Sequence, residues 1–159
     1  MIDTSEFRRV IGHFASGVSV VTTRRPGGEP CGLTASAVCS LSLRPTLLLV
    51  CVEKSADTHA CITEAGFFAV NVLAEGKGET LARRFAIGEP GEKFTGVAFH
   101  DERTGAPVLD EALAWMDCRV TDRAEGGDHT VFMGEVMAAD AGEGTPLVYY
   151  RGGYGRFVP

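Results

Sequence analysis

The segment LTASAVCSLSLRPTLLLVCVEKS, Leu33 to Ser55, joins a run of small residues to an apolar segment. Before Pro45 its side chains are small, hydroxyl-bearing or apolar, and Arg44 is the only charged residue there. From Leu47 to Val52 every residue is apolar, which is typical of a strand covered on both faces. The stretch therefore predicts a central strand, preceded by a backbone segment whose polar groups are available to something other than water.

Composition and charge exclude several classes of protein. Twenty of the 159 residues are glycine, well above the average share of about 7%, which favours many turns and therefore β structure. The formal net charge of −6 disfavours binding to nucleic acid or to an anionic membrane, since both need clustered cations. No apolar run approaches the roughly 18 to 20 residues that span a bilayer, and the N-terminus lacks the apolar core of a signal peptide. We therefore expect one cytoplasmic domain, residues 1–159, with no nucleic-acid or membrane partner.

The cysteines are five in number, and no two of them form a CxxC pair. An odd number without such pairs indicates neither a disulfide framework nor a zinc ribbon. We expect reduced thiols that serve as small core or strand residues, and no metal site. They are Cys31, Cys39, Cys51, Cys61 and Cys118.

The N-terminal segment predicts an amphipathic helix that ends near Gly17. Asp3 and Glu6 have the spacing of a capping box ahead of the apolar residues. Those apolar residues recur at i, i+3, i+4 and i+7. They are Phe7, Val10, Ile11 and Phe14.

The rest of the chain has mostly strand-like patterns. The predicted strands lie at residues 18–23, 31–39, 47–52 and 67–73, in a long hairpin over 116–139, and at the start of the tail. In the first arm of that hairpin, Met116, Cys118 and Val120 alternate with polar neighbours. Seven or so strands, few of them in βαβ alternation, predict an antiparallel barrel that is mainly β with a few peripheral helices.

Two short helices and a loop are predicted between these strands. One helix covers residues 55–65, is capped by Ser55 or Asp57 and ends at Gly66. The other covers residues 78–86. The segment GEPGEKFTG, residues 88–96, has four glycine or proline residues in nine and predicts a surface loop, with a lid as the alternative.

The common catalytic and nucleotide-binding motifs are missing. The sequence has no GxGxxG, no Walker A motif and no HExxH, so nucleotide or metal binding through those motifs is not supported. Serines and histidines are present, but no GxSxG elbow accompanies them, which disfavours a serine hydrolase.

The small-residue run has the chemistry of a cradle for a planar heterocycle that carries a phosphate. Such a ligand needs backbone N–H groups at its edge, small side chains around it, and a hydroxyl or a cation at the phosphate. Residues 34–40 supply the first two. Lys54 and Ser55, at the start of a predicted helix, supply the cation, a hydroxyl and free N–H groups. The alternative is a tightly packed strand with a solvated Lys54.

Two more segments carry candidate residues. In GGDHTVFMGEV, residues 126–136, His129 follows a tight turn at the start of a strand. It either reaches into a cleft or is an ordinary hydrogen-bonded structural residue. The tail YYRGGYGRF, residues 149–157, combines aromatic and arginine side chains, which suit either ring stacking and phosphate binding or a subunit interface.

Together these segments resemble the flavin reductase family, the short reductases of two-component flavin-dependent monooxygenases. The similarity covers nearly the whole chain in order. It runs through FRRVIGHFASGVSVVTT, GLTASAVCSLSLRPTLLLVCVEKS, GFFAVNVL, LARRF, GDHTVFMGEV and PLVYYRGGYGRF. The resemblance implies an FMN-binding split barrel, that is, an antiparallel split β-barrel with a few peripheral helices.

The resemblance also implies site residues by position. It places the flavin ring edge at Thr34, Ala35, Ser36 and Ala37, continued by Ser40 and Leu41, and the flavin phosphate at Lys54 and Ser55. Phe85 corresponds to an aromatic residue near the flavin. His129 corresponds to the catalytic residue beside the nicotinamide, and Tyr154 to a tail residue that helps close the pocket.

The activity that the resemblance implies is the reduction of FAD or FMN by NADH or NADPH. Hydride passes from nicotinamide C4 to flavin N5, while the protein stacks the rings and supplies N–H donors. His129 orients the nicotinamide or helps with a proton. The reduced flavin then reaches a flavin-dependent monooxygenase by diffusion. The family pattern further implies a homodimer with flavin sites near its interface, and the lack of an arginine cluster for a 2′-phosphate favours NADH.

Two other functions fit the same residues. One is a split-barrel flavoprotein oxidase that retains FMN and oxidises an organic substrate directly. The other is a flavin-binding protein without enzymatic activity.

Overall fold

The computed structural model describes residues 1–158 as twelve strands and three helices. The helices are α1 (Thr4–Ile11), α2 (Asp57–Ala65) and α3 (Lys77–Ile87). The strands are β1 (Ser16–Gly17), β2 (Ser19–Arg24), β3 (Pro30–Ala35), β4 (Val38–Leu43), β5 (Thr46–Glu53), β6 (Phe67–Leu73), β7 (Phe99–Asp101), β8 (Pro107–Leu109), β9 (Ala112–Gly126), β10 (His129–Ala141), β11 (Leu147–Tyr150) and β12 (Gly153–Arg156). All strand pairings are antiparallel, as the sequence predicts.

A seven-stranded sheet forms the body of the molecule, in the order β3-β2-β6-β9-β10-β5-β4. A second sheet has the order β1-β11-β12, and β7 and β8 form a separate pair. The long β9–β10 hairpin is present as predicted, and it pairs from His129 opposite Gly126 to Ala141 opposite Ala114. Because β9 pairs with β6 and β10 pairs with β5, this hairpin joins the two halves of the large sheet.

The connection between β3 and β4 curls the sheet into a barrel. The sequence predicts one strand over residues 31–39, but the chain breaks between β3 and β4 at Ser36 and Ala37. The two strands stand at opposite ends of the sheet order. Since only these two residues connect them, the two edges of the sheet must approach each other there. We call residues 36–37 the seam.

Strand β5 does not occupy the central position that its apolar run predicts. It lies second from the edge, between β10 and β4. Leu48, Val50 and Val52 are buried, while the residues that alternate with them are only half-buried. The prediction was wrong because an apolar run indicates that both faces of the strand are covered, but it does not indicate the position of the strand in the sheet.

Two clusters of apolar side chains make up most of the core. Val50, Phe68 and Phe132 belong to the cluster beneath the large sheet. Leu73 and Phe85 belong to the cluster between the sheet and α3. Every one of these five side chains is at most 1% exposed.

Helix α1 begins as predicted but ends earlier. Asp3 is its N-cap and accepts a hydrogen bond from the amide of Glu6 at 2.9 Å. The helix ends at Ile11, before the expected Gly17, because Gly12 forms the C-cap and its carbonyl accepts the amide of Arg151. No residue of α1 is buried, so the apolar face of this amphipathic helix is exposed.

The remaining predicted elements need small corrections. Helix α2 has Ala56 as its N-cap, where the sequence predicts Ser55 or Asp57, and it ends as predicted at a left-handed Gly66. Helix α3 is one residue longer at each end than predicted. Residues 88–96 form no strand or α-helix, and the tail folds back as the β11–β12 hairpin. No helix within residues 1–158 is long and apolar enough to cross a membrane.

Candidate functional site

The seam borders a cavity of about 400 Å³, which is within the range of about 300–1,000 Å³ typical of small-molecule sites. Its walls come from β3, the seam, β5, α2, α3, the loop at residues 88–96 and the start of β10. The lining residues are Leu33, Thr34, Ala35, Ser36, Ala37, Cys51, Glu53, Ala56, Asp57, Thr58, Phe85, Ala86, Pro90, Lys93 and His129. The structure thus brings together six of the predicted site residues.

The first wall is the small-residue run. The Thr34 hydroxyl donates a hydrogen bond to the carbonyl oxygen of Ala82 in α3, at 2.6 Å. Ala35 is buried, whereas Ser36 and Ala37 are exposed at the seam. Short side chains at these positions allow a ligand to approach the backbone, which is the property that the sequence predicts for this segment.

The second wall is aromatic. Phe85 lines the cavity and is fully buried. Its ring meets that of Phe94 edge to face, with centroids 4.9 Å apart. Gly32 permits this packing, because a Cβ there would lie 3.1 Å from Phe85 Cε1. Phe94 therefore holds the 88–96 loop against the cavity wall.

Two side chains of opposite charge, Lys93 and Asp57, line the cavity. Lys93 donates from Nζ to the carbonyl oxygen of Gly32 at 3.1 Å, and burial lowers the pKa of its ammonium group. The carboxylate of Asp57 is hydrogen-bonded to Arg25. Burial pushes the pKa of Asp57 upward, but the hydrogen bonds from Arg25 and Cys31 outweigh burial and leave this pKa below its usual value.

Sequence reasoning missed both Lys93 and Asp57 as cavity residues. Lys93 lies in the segment predicted as a loop or lid, and the lid alternative was the only signal for its position. The sequence indicates only a helix-capping role for Asp57. Neither Lys93 nor Asp57 lies in a sequence motif that indicates a contact with β3.

His129 lies at the edge of the cavity as the first residue of β10, opposite Glu53 of β5. Its Nδ1 hydrogen-bonds the carboxylate of Asp128 at 2.8 Å, and this bond together with the charge of the imidazole lowers the pKa of Asp128. The ring is therefore oriented by its neighbour in the chain. The side chain is 42% exposed, so the histidine is accessible to a second ligand.

Lys54 and Ser55 lie outside the cavity lining. The ammonium of Lys54 donates to the carbonyl oxygen of Gly127 at 2.9 Å and pairs with Glu125 at 2.5 Å. The Ser55 hydroxyl donates to the carboxylate of Glu53, a lining residue, at 2.8 Å. Lys54 thus holds the turn that precedes His129. The phosphate-binding role of the two residues stays a prediction.

Three other predicted residues also lie outside the main lining. Ser40 and Leu41 are exposed on the edge strand β4. Tyr154 lines a second cavity of about 210 Å³, which shares Thr34 and Ser36 with the main cavity. The guanidinium of Arg83 lies 5.0 Å from the Tyr154 ring centroid, and burial raises the pKa of this phenol.

The chain matches a known protein family over most of its length. Residues 11–157 match the model of the family described as "Flavin reductase like domain". The chain therefore belongs to the flavin reductase family, and the family predicted by resemblance is confirmed. The individual roles of the site residues, and a single domain over residues 1–159, stay predictions.

Among curated proteins, the chain is 50% identical over 159 residues to the reductase component of 4-nitrophenol 4-monooxygenase/4-nitrocatechol 2-monooxygenase from Rhodococcus opacus, with 99% of this chain and 83% of that protein covered. It is 41% identical to an NADH-dependent FAD reductase of Streptomyces globisporus, with 99% and 87% covered.

Among solved structures, nitrilotriacetate monooxygenase component B of Mycobacterium thermoresistibile matches with a TM-score of 0.92 and 38% identity, over 99% of this chain and 88% of that one. The NADH:FAD oxidoreductase of Streptomyces globisporus, in complex with NAD and FAD fragments, matches with a TM-score of 0.89 and 38% identity, over 99% and 94%. These matches confirm the antiparallel split-barrel fold class.

Proposed function

We propose that this protein binds FAD or FMN in the cavity at the seam, reduces it with NADH and releases the reduced flavin to a flavin-dependent monooxygenase. One observation carries the proposal. In a member of the flavin reductase family, the small-residue seam, the buried Phe85 and the accessible His129 line one cavity. The predicted enzyme class, an NAD(P)H-dependent flavin reductase, is confirmed by relatives named flavin reductase (NADH) and NADH-dependent FAD reductase.

The lining residues fit a flavin. Thr34 to Ala37 present only small side chains to the cavity, so a planar ring can approach their backbone. Phe85 gives an apolar wall, and Lys93 places a cation within the same cavity. When bound, a flavin supplies the two-electron chemistry that accepts hydride from reduced nicotinamide. The protein supplies binding, orientation and exclusion of water.

His129 acts on the second ligand in this proposal. The bond to Asp128 fixes the orientation of the imidazole ring, and its exposed side can then contact a nicotinamide or hold a proton at the cavity entrance. Hydride transfer requires no acid or base on the protein. His129 therefore contributes positioning, and its loss slows the reaction without abolishing it.

Two lysines are candidates for binding the flavin phosphate, and we propose that Lys93 binds it. Lys93 is in the cavity lining, and a cation there offsets the charge that an anionic ligand brings next to Asp57. Lys54, which the resemblance implies, is held by Glu125 outside the lining. We propose that Lys54 acts by fixing the turn before His129.

Release of the flavin separates this function from that of a flavoprotein with retained FMN. The name of the Rhodococcus relative is that of a reductase component, which supports a flavin carrier. A carrier needs moderate affinity, because each tenfold gain in binding adds about 1.4 kcal/mol to the free energy of release. The cavity opens at the exposed seam, which is consistent with exchange of the ligand.

We also propose the homodimer and the cytoplasmic location that were expected from the sequence. The apolar face of α1 is exposed, with Phe7 at 54% and Ile11 at 50%. On the edge strand β4, Leu41 and Leu43 are 44% and 85% exposed. Exposed apolar patches of this kind mark interaction surfaces, and a second copy of the chain would cover them.

An oxidation assay tests the function. Purified protein is mixed with NADH or NADPH and with FAD, FMN or no flavin, and the loss of reduced nicotinamide absorbance is followed. We expect turnover only when flavin is added, with NADH preferred. A yellow protein that retains FMN and does not oxidise NADH would establish the oxidase alternative. Flavin binding without turnover under any condition would establish the non-enzymatic alternative.

A further inference from the structure

Two buried cysteines that the proposed function does not use lie next to each other beside the cavity. Cys31 is in β3 and Cys61 is in α2, and their side chains are 3% and 2% exposed. Their Sγ atoms are 2.6 Å apart, although 30 positions separate the residues in the sequence. A disulfide bond is about 2.05 Å long. The two sulfur atoms are thus close enough to bond with little movement.

The surroundings of the pair connect it to the cavity wall. Cys31 Sγ lies 3.3 Å from a carboxylate oxygen of Asp57 and 3.6 Å from the hydroxyl oxygen of Thr58. Both partners line the cavity, whereas the two sulfur atoms lie behind them. Burial, followed by the contact with Cys61, raises the pKa of the Cys31 thiol to about 12. The reduced Cys31 thiol is therefore uncharged at neutral pH.

A metal ion is the other ligand that two cysteines and an aspartate suggest. Metal binding needs thiolates and a free carboxylate. Here Arg25 is hydrogen-bonded to the Asp57 carboxylate, and its positive charge opposes that of a cation. The site therefore favours a bond between the sulfurs over a metal between them.

We propose that Cys31 and Cys61 form a reversible disulfide that ties β3 to α2 behind the flavin cavity. Hydrogen peroxide is the oxidant. One sulfur attacks a peroxide oxygen, which gives a sulfenic acid and one water; the second thiol then attacks that sulfur, which gives the disulfide and a second water. Two thiols are oxidised and one peroxide is reduced to two waters. Reduced flavin in air produces peroxide, so the source of the oxidant rests on the proposed function.

The bond stabilises the fold and leaves the cavity intact. It closes a loop across 30 sequence positions, which lowers the entropy of the unfolded chain. Neither sulfur atom lines the cavity, so flavin binding is unchanged. Because burial raises the pKa of the Cys31 thiol, little of it is thiolate and its oxidation is slow.

Thiol counting tests the proposal without any flavin turnover. Fully reduced protein is treated with hydrogen peroxide, denatured in an alkylating agent and analysed by mass spectrometry and peptide mapping. We expect two fewer alkylated thiols, one cross-linked peptide pair containing Cys31 and Cys61, and a rise in Tm of about 5 to 10 °C that a reductant reverses. A parallel sample with NADH, FAD and air should give the same cross-link more slowly. If only the added peroxide produces the bond, the flavin-derived source of the oxidant is overturned while the thiol pair stands; the NADH oxidation assay decides the flavin reductase function separately.

Matched variants separate this bond from other oxidation. Cys61→Ala and Cys31→Ser should each lose the cross-link and the Tm shift, while Cys39→Ala, at an exposed thiol outside the cavity lining, retains both. Either of the first two variants suffices if the other does not fold. Full alkylation of Cys31 and Cys61 after peroxide treatment would overturn the proposal. So would stoichiometric zinc bound to the pair, or a loss of flavin affinity greater than twofold in the cross-linked protein.

Discussion

Thr34 and Ala82 join the two walls of the cavity: the threonine hydroxyl donates to the alanine carbonyl oxygen over 2.6 Å. Thr34 belongs to the small-residue strand, and Ala82 lies in α3, one turn before Phe85. The bond connects residues 48 positions apart in the sequence. It therefore sets the distance between the backbone edge of the cavity and its aromatic wall.

Replacing Thr34 with valine should weaken both the fold and the site. Valine keeps the shape of threonine but removes the hydroxyl donor, and we expect the free energy of unfolding to fall by about 1 kcal/mol. The two walls also lose their connection, so flavin should bind a few-fold more weakly. Urea denaturation and flavin fluorescence titration measure the two effects. Thr34→Ser retains the donor and is the control; equal losses in both variants would contradict a role for the hydrogen bond.

Replacing Lys93 with methionine should weaken FMN binding by about tenfold or more, since a charge-assisted hydrogen bond contributes about 1.5–3 kcal/mol. Riboflavin has no phosphate, and its affinity should stay within twofold. Lys77→Met, at a lysine whose side chain is 83% exposed, is the matched control. Calorimetric titration with each ligand measures the difference. If Lys54→Met instead causes the phosphate-dependent loss, the phosphate contact belongs to Lys54.

Replacing His129 with alanine should lower kcat/KM for NADH by about tenfold and leave flavin affinity unchanged. A loss of flavin binding with unchanged turnover of bound flavin would contradict the proposed role. The same variant should raise the pKa of Asp128, because the hydrogen bond from His129 lowers it in the wild-type protein. NMR titration of the Asp128 carboxyl group checks this shift.

The pH dependence of the His129–Asp128 pair follows from the lowered pKa of Asp128. Asp128 has a folded-state pKa below its usual value, so the pair is stabilised at pH values above the usual carboxyl pKa. The stabilisation is lost as the pH falls through the lowered value. Asp128→Asn removes the charge and should flatten this acid-side change in the His129 NMR signals. A change that survives in Asp128→Asn would have another source.

Replacing Gly134 with alanine should destabilise the protein by about 1–3 kcal/mol. A Cβ at this position would lie 2.7 Å from Phe68 Cζ and 2.9 Å from Cys118 Cβ. Both neighbours are fully buried and have no room to shift. Gly126→Ala in the same hairpin is the control, since a Cβ there would lie 3.5 Å from the carbonyl oxygen of His129. Thermal unfolding of the two variants measures the difference, and equal Tm values would contradict the contact.

Replacing Phe7 or Leu43 with aspartate should disrupt the homodimer. Both side chains are more than half exposed, and burying a carboxylate against an apolar partner is unfavourable. Light scattering after size-exclusion chromatography should give the mass of two chains for the wild type and a lower mass for each variant. Arg9→Ala changes a charged residue of α1 and should leave the mass unchanged. A wild-type mass of one chain would end the homodimer proposal.

Local signals in the sequence were sufficient for most of the secondary structure. The Asp3 capping interaction, the left-handed Gly66 and the long β9–β10 hairpin all follow from short-range geometry, and each is present as predicted. The small-residue run also lies at a cavity, as predicted. This prediction was possible because the size of the side chains can be read from the sequence alone. The prediction of an antiparallel barrel depended on the number of predicted strands, and the prediction of its split form depended on the resemblance to flavin reductases.

Tertiary contacts place Lys93, and not Lys54, in the cavity lining. Lys93 enters it because its loop folds back onto Gly32, 61 positions away, and Lys54 leaves it because Glu125 holds its ammonium group. The exposed face of α1 and the edge-side position of β5 are likewise set by packing between distant segments. Residue type and spacing indicate the local conformation of a segment and its interactions with neighbouring residues in the chain. Which distant segment it meets depends on how the sheet closes at Ser36 and Ala37, and that closure is a property of the whole barrel.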